Sequence, residues 1–229
     1  MPDDLNLVNK LYYGDNLIIM REFIPDECVD LIYLDPPFNS KATYNVLFQE
    51  KDGSDSPAQI TAFEDTWQWD MAAAATYEEL VKDGPAKLSD LIQAFRSFLG
   101  TNDMMAYLTM MAVRLVEMRR VLKNTGSIYL HCDPTASHYI KLVMDAVFGT
   151  HGFTNEIVWL RSDPKGLAFN RFASSHDIIL HYRKSEKALW NPQYAEHDPK
   201  YVETWYRFVE PETGRRYKLV QLQLDTPSI

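Results

Sequence analysis

The sequence predicts an α/β fold, with a mostly parallel sheet and helices on both of its faces. Three observations carry that prediction. VDLIYL, from Val29 to Leu34, is a near-continuous apolar run, the pattern of a strand covered on both sides. A short apolar stretch and a helical one precede it, which is the strand–helix–strand order of parallel sheets. Downstream, capped helical segments alternate with further apolar strands.

Taken in order, Lys10 to Tyr13 reads as a short strand closed by Gly14 and Asp15. DNLIIMREFI follows as a helix, with Asp15 or Asn16 as N-cap and Leu17, Met20 and Ile24 on one face. After the strand at Val29, residues 39–86 read as a long insertion over the strand ends. It is polar and breaker-rich in QEKDGSDSPAQ, then sets two tryptophans beside a helix in FEDTWQWDMAAAATYEEL. Lys87 to Leu99 continues as a helix. NDMMAYLTMMAVRLVEMRRVLKNTG is the clearest helix, capped by Asn102 or Asp103, and its methionines suit a core. SIYLHCD is the next strand. DPTASHYIKLVMDAVFG is a helix with Asp133 at the N-cap, Pro134 at N1 and Gly149 past its end. NEIVWLR and HDIILHYRK read as two strands, an antiparallel element from Glu156 to Arg183. Trp205 to Val209 and Arg215 to Leu219 suit a hairpin around EPETG.

Composition narrows the function classes. No stretch approaches the roughly 18 apolar residues of a membrane span, and the start lacks a signal peptide's apolar region. Two cysteines give no disulfide framework, so the cytoplasm is the default compartment. The net charge of -9 is unevenly spread. Residues 1–150 hold 12 Lys+Arg against 22 Asp+Glu, whereas residues 151–229 hold 11 against 10. The second part sets its cations among aromatics, a mix that suits phosphates and bases and equally suits a solvated face.

DPPF, Asp35 to Phe38, ends the strand at the edge where open α/β sheets bind ligands. An exocyclic amine on a nucleobase is a poor nucleophile, because its lone pair is delocalised. Two acceptors around its N–H bonds favour a pyramidal nitrogen. The Asp35 carboxylate can be one acceptor and the Pro36 carbonyl the other. Pro36 and Pro37 stiffen the turn, so the acceptors are preorganised. Phe38 offers a flat face for a base flipped out of the duplex.

This motif resembles motif IV of the amino-methyltransferases that modify adenine N6 or cytosine N4. LYYGDNL, DLIYLDPPFNS, FEDTWQW, RRVLKNTGSIYLHCDPTASHYIKLVMDAVFG, NEIVWLR and HDIILHYRK together resemble the β-class, site-specific DNA adenine methyltransferases, notably modification subunits of type III restriction systems. The resemblance implies a Rossmann-like core, circularly permuted so that the catalytic strand comes first. It implies methyl transfer from S-adenosylmethionine to adenine N6, with no metal. Asp35, Pro36, Pro37 and Phe38 would be the catalytic motif, and Asp15 and Asp35 the cofactor contacts. Read from the residues themselves rather than from the resemblance, Asn39, Lys165, Arg171 and His176 are candidate DNA contacts. The acidic motif start favours adenine over cytosine.

The resemblance also has a gap. Its methionine-binding loop carries G-x-G, and none of the nine glycines here forms that pair. Residues 1–183 are expected to hold the catalytic part and 184–229 the start of a target-recognition region. A further C-terminal part, or a complementing subunit, would supply the glycine loop. Double-stranded DNA is the expected substrate, with a second copy and a restriction subunit as possible partners. A non-catalytic DNA-binding subunit and an RNA or cytosine-N4 enzyme stay open.

Plainer readings stand beside these. Asp35 is also a turn cap, and Asp15 an N-cap. Trp67 and Trp69 pack the insertion or line a DNA channel. Arg171, His176 and Lys165 suit solvent as well as phosphate. His131, Cys132 and His138 fit no zinc spacing, and His131 and Cys132 point to opposite faces of a strand. DLIYLD imitates a Walker B strand, but no phosphate-binding G-x-x-x-x-G-K-[ST] accompanies it.

Overall fold

The structure, a computed structural model, describes residues 9–36, 43–45, 61–64, 67–161, 172, 175–194 and 196–220. The chain divides into two compact units, Met1–Leu189 and Trp190–Ile229.

In the first unit, α1 (Asn16–Phe23) starts at Asp15, whose carboxylate accepts from the Leu17 amide at 2.8 Å. The strand expected over Lys10 to Tyr13 is not formed; these residues are irregular and exposed. Apolar side chains alone do not make a strand, and no described edge takes the hydrogen bonds of this one. After α1 the chain turns at Glu27, which adopts φ 49°. Arg120 anchors that turn, donating to the carbonyls of Met20 at 2.7 Å and Ile24 at 3.1 Å and pairing with Asp26. β1 (Val29–Leu34) follows. β2 (Thr43–Asn45) and β3 (Thr61–Glu64) form a separate antiparallel pair inside the insertion. The helices α2 (Met71–Asp83), α3 (Ala86–Leu99) and α4 (Asp103–Val121) lead into β4 (Leu122–Cys132). α5 (Pro134–Phe148) has Asp133 as its cap and Pro at its first turn, as read from the sequence. β5 (Phe153–Leu160) and β6 (His176–Arg183) complete the sheet.

The strand order is β1-β4-β6-β5. β1 and β4 are parallel, while β6 lies antiparallel to both β4 and β5. Three strands therefore run one way, and β6 is inserted against them. The α/β class stands as expected, but the sheet is mixed: placing the reversed strand between β4 and β5 replaces a parallel pairing with two antiparallel ones.

Register decides what each face carries. Ile32, Leu34, Ile128, Leu130, Cys132, Ile178, Leu180 and Tyr182 share one face and join the core cluster with α3, α4 and α5. Tyr182 is anchored there by donating its hydroxyl to Asp145 at 2.7 Å. The other face carries Leu31, Tyr33, Ile157 and Trp159, all exposed among the described residues. The strand at Val29 was expected to be covered on both sides, yet Leu31 is 58% and Tyr33 55% exposed. Among the described residues the core cluster draws on the face with Ile128, Leu130 and Leu180, while on the other face Asp177, Ile179 and His181 of β6 are buried. An apolar run shows which side chains avoid water; it does not show what covers them.

One consequence positions the site. The ends of β1, β4 and β5 and the start of β6 all lie at the same edge of the sheet.

Candidate active site

Asp35 is the first residue beyond β1, and its side chain is 68% exposed. Pro36 beside it is half-buried. Both line a cleft of about 470 Å³ together with Asp15, Trp67, Met110 and Arg114. The structure thus brings Asp15 and Asp35, two residues separated in sequence, to one cavity. A second cleft of about 760 Å³ shares Asp15, Trp67, Met110 and Arg114 and extends along the start of α2 to Asp70 and Ala73.

Asp15 does two things at this site. Its Oδ1 caps α1 and also accepts from Arg114 Nη2 at 2.7 Å. Arg114 Nε donates to Asn16 Oδ1 at 2.8 Å, so α4 is tied to the first turn of α1. Trp67 and Trp69 pack against the core cluster, and Arg96 lies 4.5 Å from the centre of the Trp69 ring.

Next to Asp35 is His131, near the end of β4. Its Nδ1 lies 3.4 Å from Asp35 Oδ1, and its Nε2 lies 3.3 Å from Asp177 Oδ2. Asp177 is buried in β6 and accepts from Arg161 Nη1 at 3.2 Å through its other oxygen. The register explains the meeting. Leu34 pairs with Leu130, so Asp35 falls beside His131; His131 pairs with Ile179, and Asp177, two residues before Ile179 on the same face, lies diagonally across from it. Cys132 points to the opposite, buried face, as the strand alternation requires; burial first, then the nearby Asp133, Glu156 and Asp177, push its thiol up to about 12. Among the described residues no group of three His, Cys, Asp or Glu is set to hold a metal ion.

The remaining expected residues are placed unevenly. His176 opens β6, opposite Leu160, at the same edge of the sheet. Pro37, Phe38, Asn39, Lys165 and Arg171 lie outside the described residues. Sequence reasoning missed Arg114, Asp177 and Arg161 as members of the site, and weighed His131 only as a metal ligand. The available signal was the alternation of SIYLHCD, which puts His131 on the face away from the core.

In the second unit a short helix and a hairpin are described. α6 (Pro199–Trp205) and the flanking His197 and Tyr206 form a chain of ring contacts, and Lys218 lies 5.5 Å from the Tyr206 ring centre. β7 (Phe208–Val209) and β8 (Arg216–Tyr217) make the expected hairpin, with Phe208 and Tyr217 stacked at 5.4 Å.

Residues 29–222 match the family model for N6/N4 enzymes described as DNA methylase. The chain belongs to the DNA methylase family. Among relatives of this DNA methylase chain, the type II methyltransferase M.EcaI of Enterobacter cloacae is 25% identical over 221 residues, covering 85% of this chain and 48% of that protein. The StyLTI Mod subunit, a type III restriction-modification enzyme of Salmonella typhimurium, is 27% identical over 188 residues, covering 81% of this chain and 25% of that protein. The chain therefore spans half or less of these curated relatives. Among solved structures, the putative DNA modification methylase TTHA0409 of Thermus thermophilus superposes with a TM-score of 0.40 at 15% identity, covering 86% of this chain and 59% of that one.

In a DNA methylase the methyl donor implied is S-adenosylmethionine, and the donor set of the cleft suits it. Trp67 and Met110 give apolar walls for a purine, and two carboxylates, Asp15 and Asp35, suit a ligand with hydroxyls and a cationic sulfur.

Proposed function

We propose that this chain provides the base-binding part of a DNA methyltransferase that modifies adenine N6. The observation carrying this reading is that Asp35 and Pro36, at the carboxyl end of β1, line the same cleft as Asp15. When bound, S-adenosylmethionine supplies an electrophilic methyl group. Asp15 and the walls of Trp67 and Met110 would hold the donor. The Asp35 carboxylate and the Pro36 carbonyl accept the two N–H bonds of the target amine and leave its lone pair free to attack. Phe38 is the residue to stack on the flipped base. Asn39, Lys165, Arg171 and His176 contact the DNA, together with the aromatic and basic residues of the second unit.

Further polypeptide, in the same chain or in a complementing subunit, completes the sheet. β1 ends the strand order, and Leu31 and Tyr33 on it are exposed among the described residues. An added strand along β1 would pair its open edge, and the element connecting to it would cover Leu31 and Tyr33. Mod-type relatives support a restriction subunit as a further partner.

The test is calorimetric titration of S-adenosylmethionine into the chain, alone and with the C-terminal half of a relative, followed by nucleoside mass spectrometry of treated duplex DNA. Binding in the mixture and N6-methyladenine in the DNA are expected. N4-methylcytosine would reassign the base. DNA binding without methylation would instead make this a non-catalytic DNA-binding subunit.

A further inference from the structure

We propose that His131 is a positioning residue for Asp35: it fixes one carboxylate oxygen and so leaves the other for the target amine. The inference rests on the methyl-transfer reading above and adds a residue to it.

Asp35 is exposed and sits on a short side chain, so little else prescribes its rotamer. A carboxylate that must meet one N–H of a flipped base cannot be left to rotate, because misplacement by about 1 Å costs on the order of 100-fold in rate. His131 supplies the constraint. Its ring has a carboxylate at each nitrogen: Asp35 Oδ1 at 3.4 Å from Nδ1 and Asp177 Oδ2 at 3.3 Å from Nε2.

The two ends differ in a way that gives the contact a direction. The Asp177 side chain is 4% exposed and is held by Arg161 Nη1 at 3.2 Å through its other oxygen. A buried carboxylate keeps its partners, because leaving it unpaired is costly. Asp177 is therefore the fixed end, and the imidazole transmits that position to the mobile end at Asp35. To hold both carboxylates the ring must donate from both nitrogens, as the doubly protonated imidazolium does; an N–H given from Nδ1 to Oδ1 then turns Oδ2 of Asp35 toward the base.

The plainer alternative is that His131 serves Asp177 alone and meets Asp35 only because the strands adjoin. Two substitutions separate these roles. The Asn amide nitrogen falls close to the position of Nδ1, and the Gln amide nitrogen close to that of Nε2. His131→Asn keeps a donor toward Asp35, whereas His131→Gln keeps one toward Asp177. In the preparation that methylates DNA, His131→Ala is expected to lower kcat about 100-fold, with the dissociation constants for S-adenosylmethionine and DNA unchanged. His131→Asn should recover most of that loss and His131→Gln little of it. Full kcat in His131→Ala, or better recovery by His131→Gln, would overturn the proposal.

A second measurement does not depend on turnover. In the 229-residue chain labelled with ¹⁵N-histidine, Asp35→Asn should move the His131 Nδ1 resonance and Asp177→Asn the Nε2 resonance. No movement of Nδ1 in Asp35→Asn would sink the clamp. If the parent protein methylates no base at all, the methyl-transfer reading falls, and this resonance alone decides whether His131 holds Asp35.

Discussion

One oxygen of Asp15 serves both α1 and Arg114: Oδ1 accepts from the Leu17 amide at 2.8 Å and from the Arg114 guanidinium at 2.7 Å. The residue that looked in sequence like either a cap or a cofactor contact is a cap that faces the cleft. Substitution can divide the two roles. Asn caps a helix about as well as Asp, so Asp15→Asn should leave stability nearly unchanged, while Asp15→Ala should cost about 1 kcal/mol. Both should weaken S-adenosylmethionine binding about 10-fold, the size of one lost charge-assisted hydrogen bond. Urea denaturation beside calorimetric titration checks this. Undiminished affinity in Asp15→Asn would make the residue a cap and nothing more.

Asp35 should behave in the opposite way. Its side chain is exposed, and its Oδ1 lies 3.4 Å from His131 Nδ1, so folding depends little on it. Asp35→Ala in the methylating protein is expected to abolish transfer while leaving duplex binding and the urea midpoint near those of the parent. Gel-shift and tritium-transfer assays on one preparation test both halves. Near-normal turnover would remove Asp35 from the chemistry.

Much of the architecture was legible because caps and alternation are local signals. Asp133 followed by Pro134 marked the start of α5, and alternation in SIYLHCD separated His131 from Cys132. Lys10 to Tyr13 failed because a strand also needs an edge to pair with, which is not a local property. The site was legible in part for the same reason. DPPF marks its own strand end, but Asp177 and Arg161 reach Asp35 only through the β4–β6 register and the imidazole between them. Arg114 meets Asp15 only because α4 packs on α1.

The two cysteines should differ sharply in reactivity. Cys132 is fully buried with its thiol pushed up to about 12, so little thiolate forms at neutral pH. Cys28 is half-buried in the turn before β1 and donates its thiol to the Pro25 carbonyl at 3.0 Å. Maleimide at neutral pH is expected to modify Cys28 alone in the native protein and both thiols in denaturant. Peptide mass spectrometry reads the site directly. Rapid native labelling of Cys132 would mean that the face under α5 opens.

Stability should fall on mild acidification through His181. Its ring is buried on β6, stacked on Tyr129 at 4.2 Å and 3.1 Å from Asn155 Oδ1. Burial first, and then the Arg183 charge, lower its pKa from 6.5. The folded state therefore holds the neutral ring, while the unfolded chain takes up a proton as pH drops through about 6.5. Folding stability is complete above that pH and declines below it until the folded ring also protonates. The stability difference between parent and His181→Gln should accordingly shrink as pH is lowered from about 7.5 to about 5.5. Urea midpoints across that window measure it; a constant difference would show that His181 does not carry the effect.

Gly126 tests how tightly β1 is seated on β4. A Cβ built there would lie 2.7 Å from Leu122 Cδ1 and 2.9 Å from the Asp30 carbonyl oxygen, both closer than real Cβ atoms come. Leu122 is fully buried. The Asp30 oxygen is backbone of β1, where the register between Val29 and Leu31 is already irregular. The Asp30 contact is with backbone, so relieving it moves β1 away from β4, and Gly126→Ala should lower stability by about 1–3 kcal/mol, as overpacked sites do. The same movement would carry Asp35 away from His131, because the two residues follow the paired Leu34 and Leu130. Gly126→Ala should therefore lower kcat as well as the urea midpoint, and should shift the His131 Nδ1 resonance without any change to the carboxylate itself. A destabilised variant with an unmoved resonance would show that the strand ends hold their spacing independently of the start of β4.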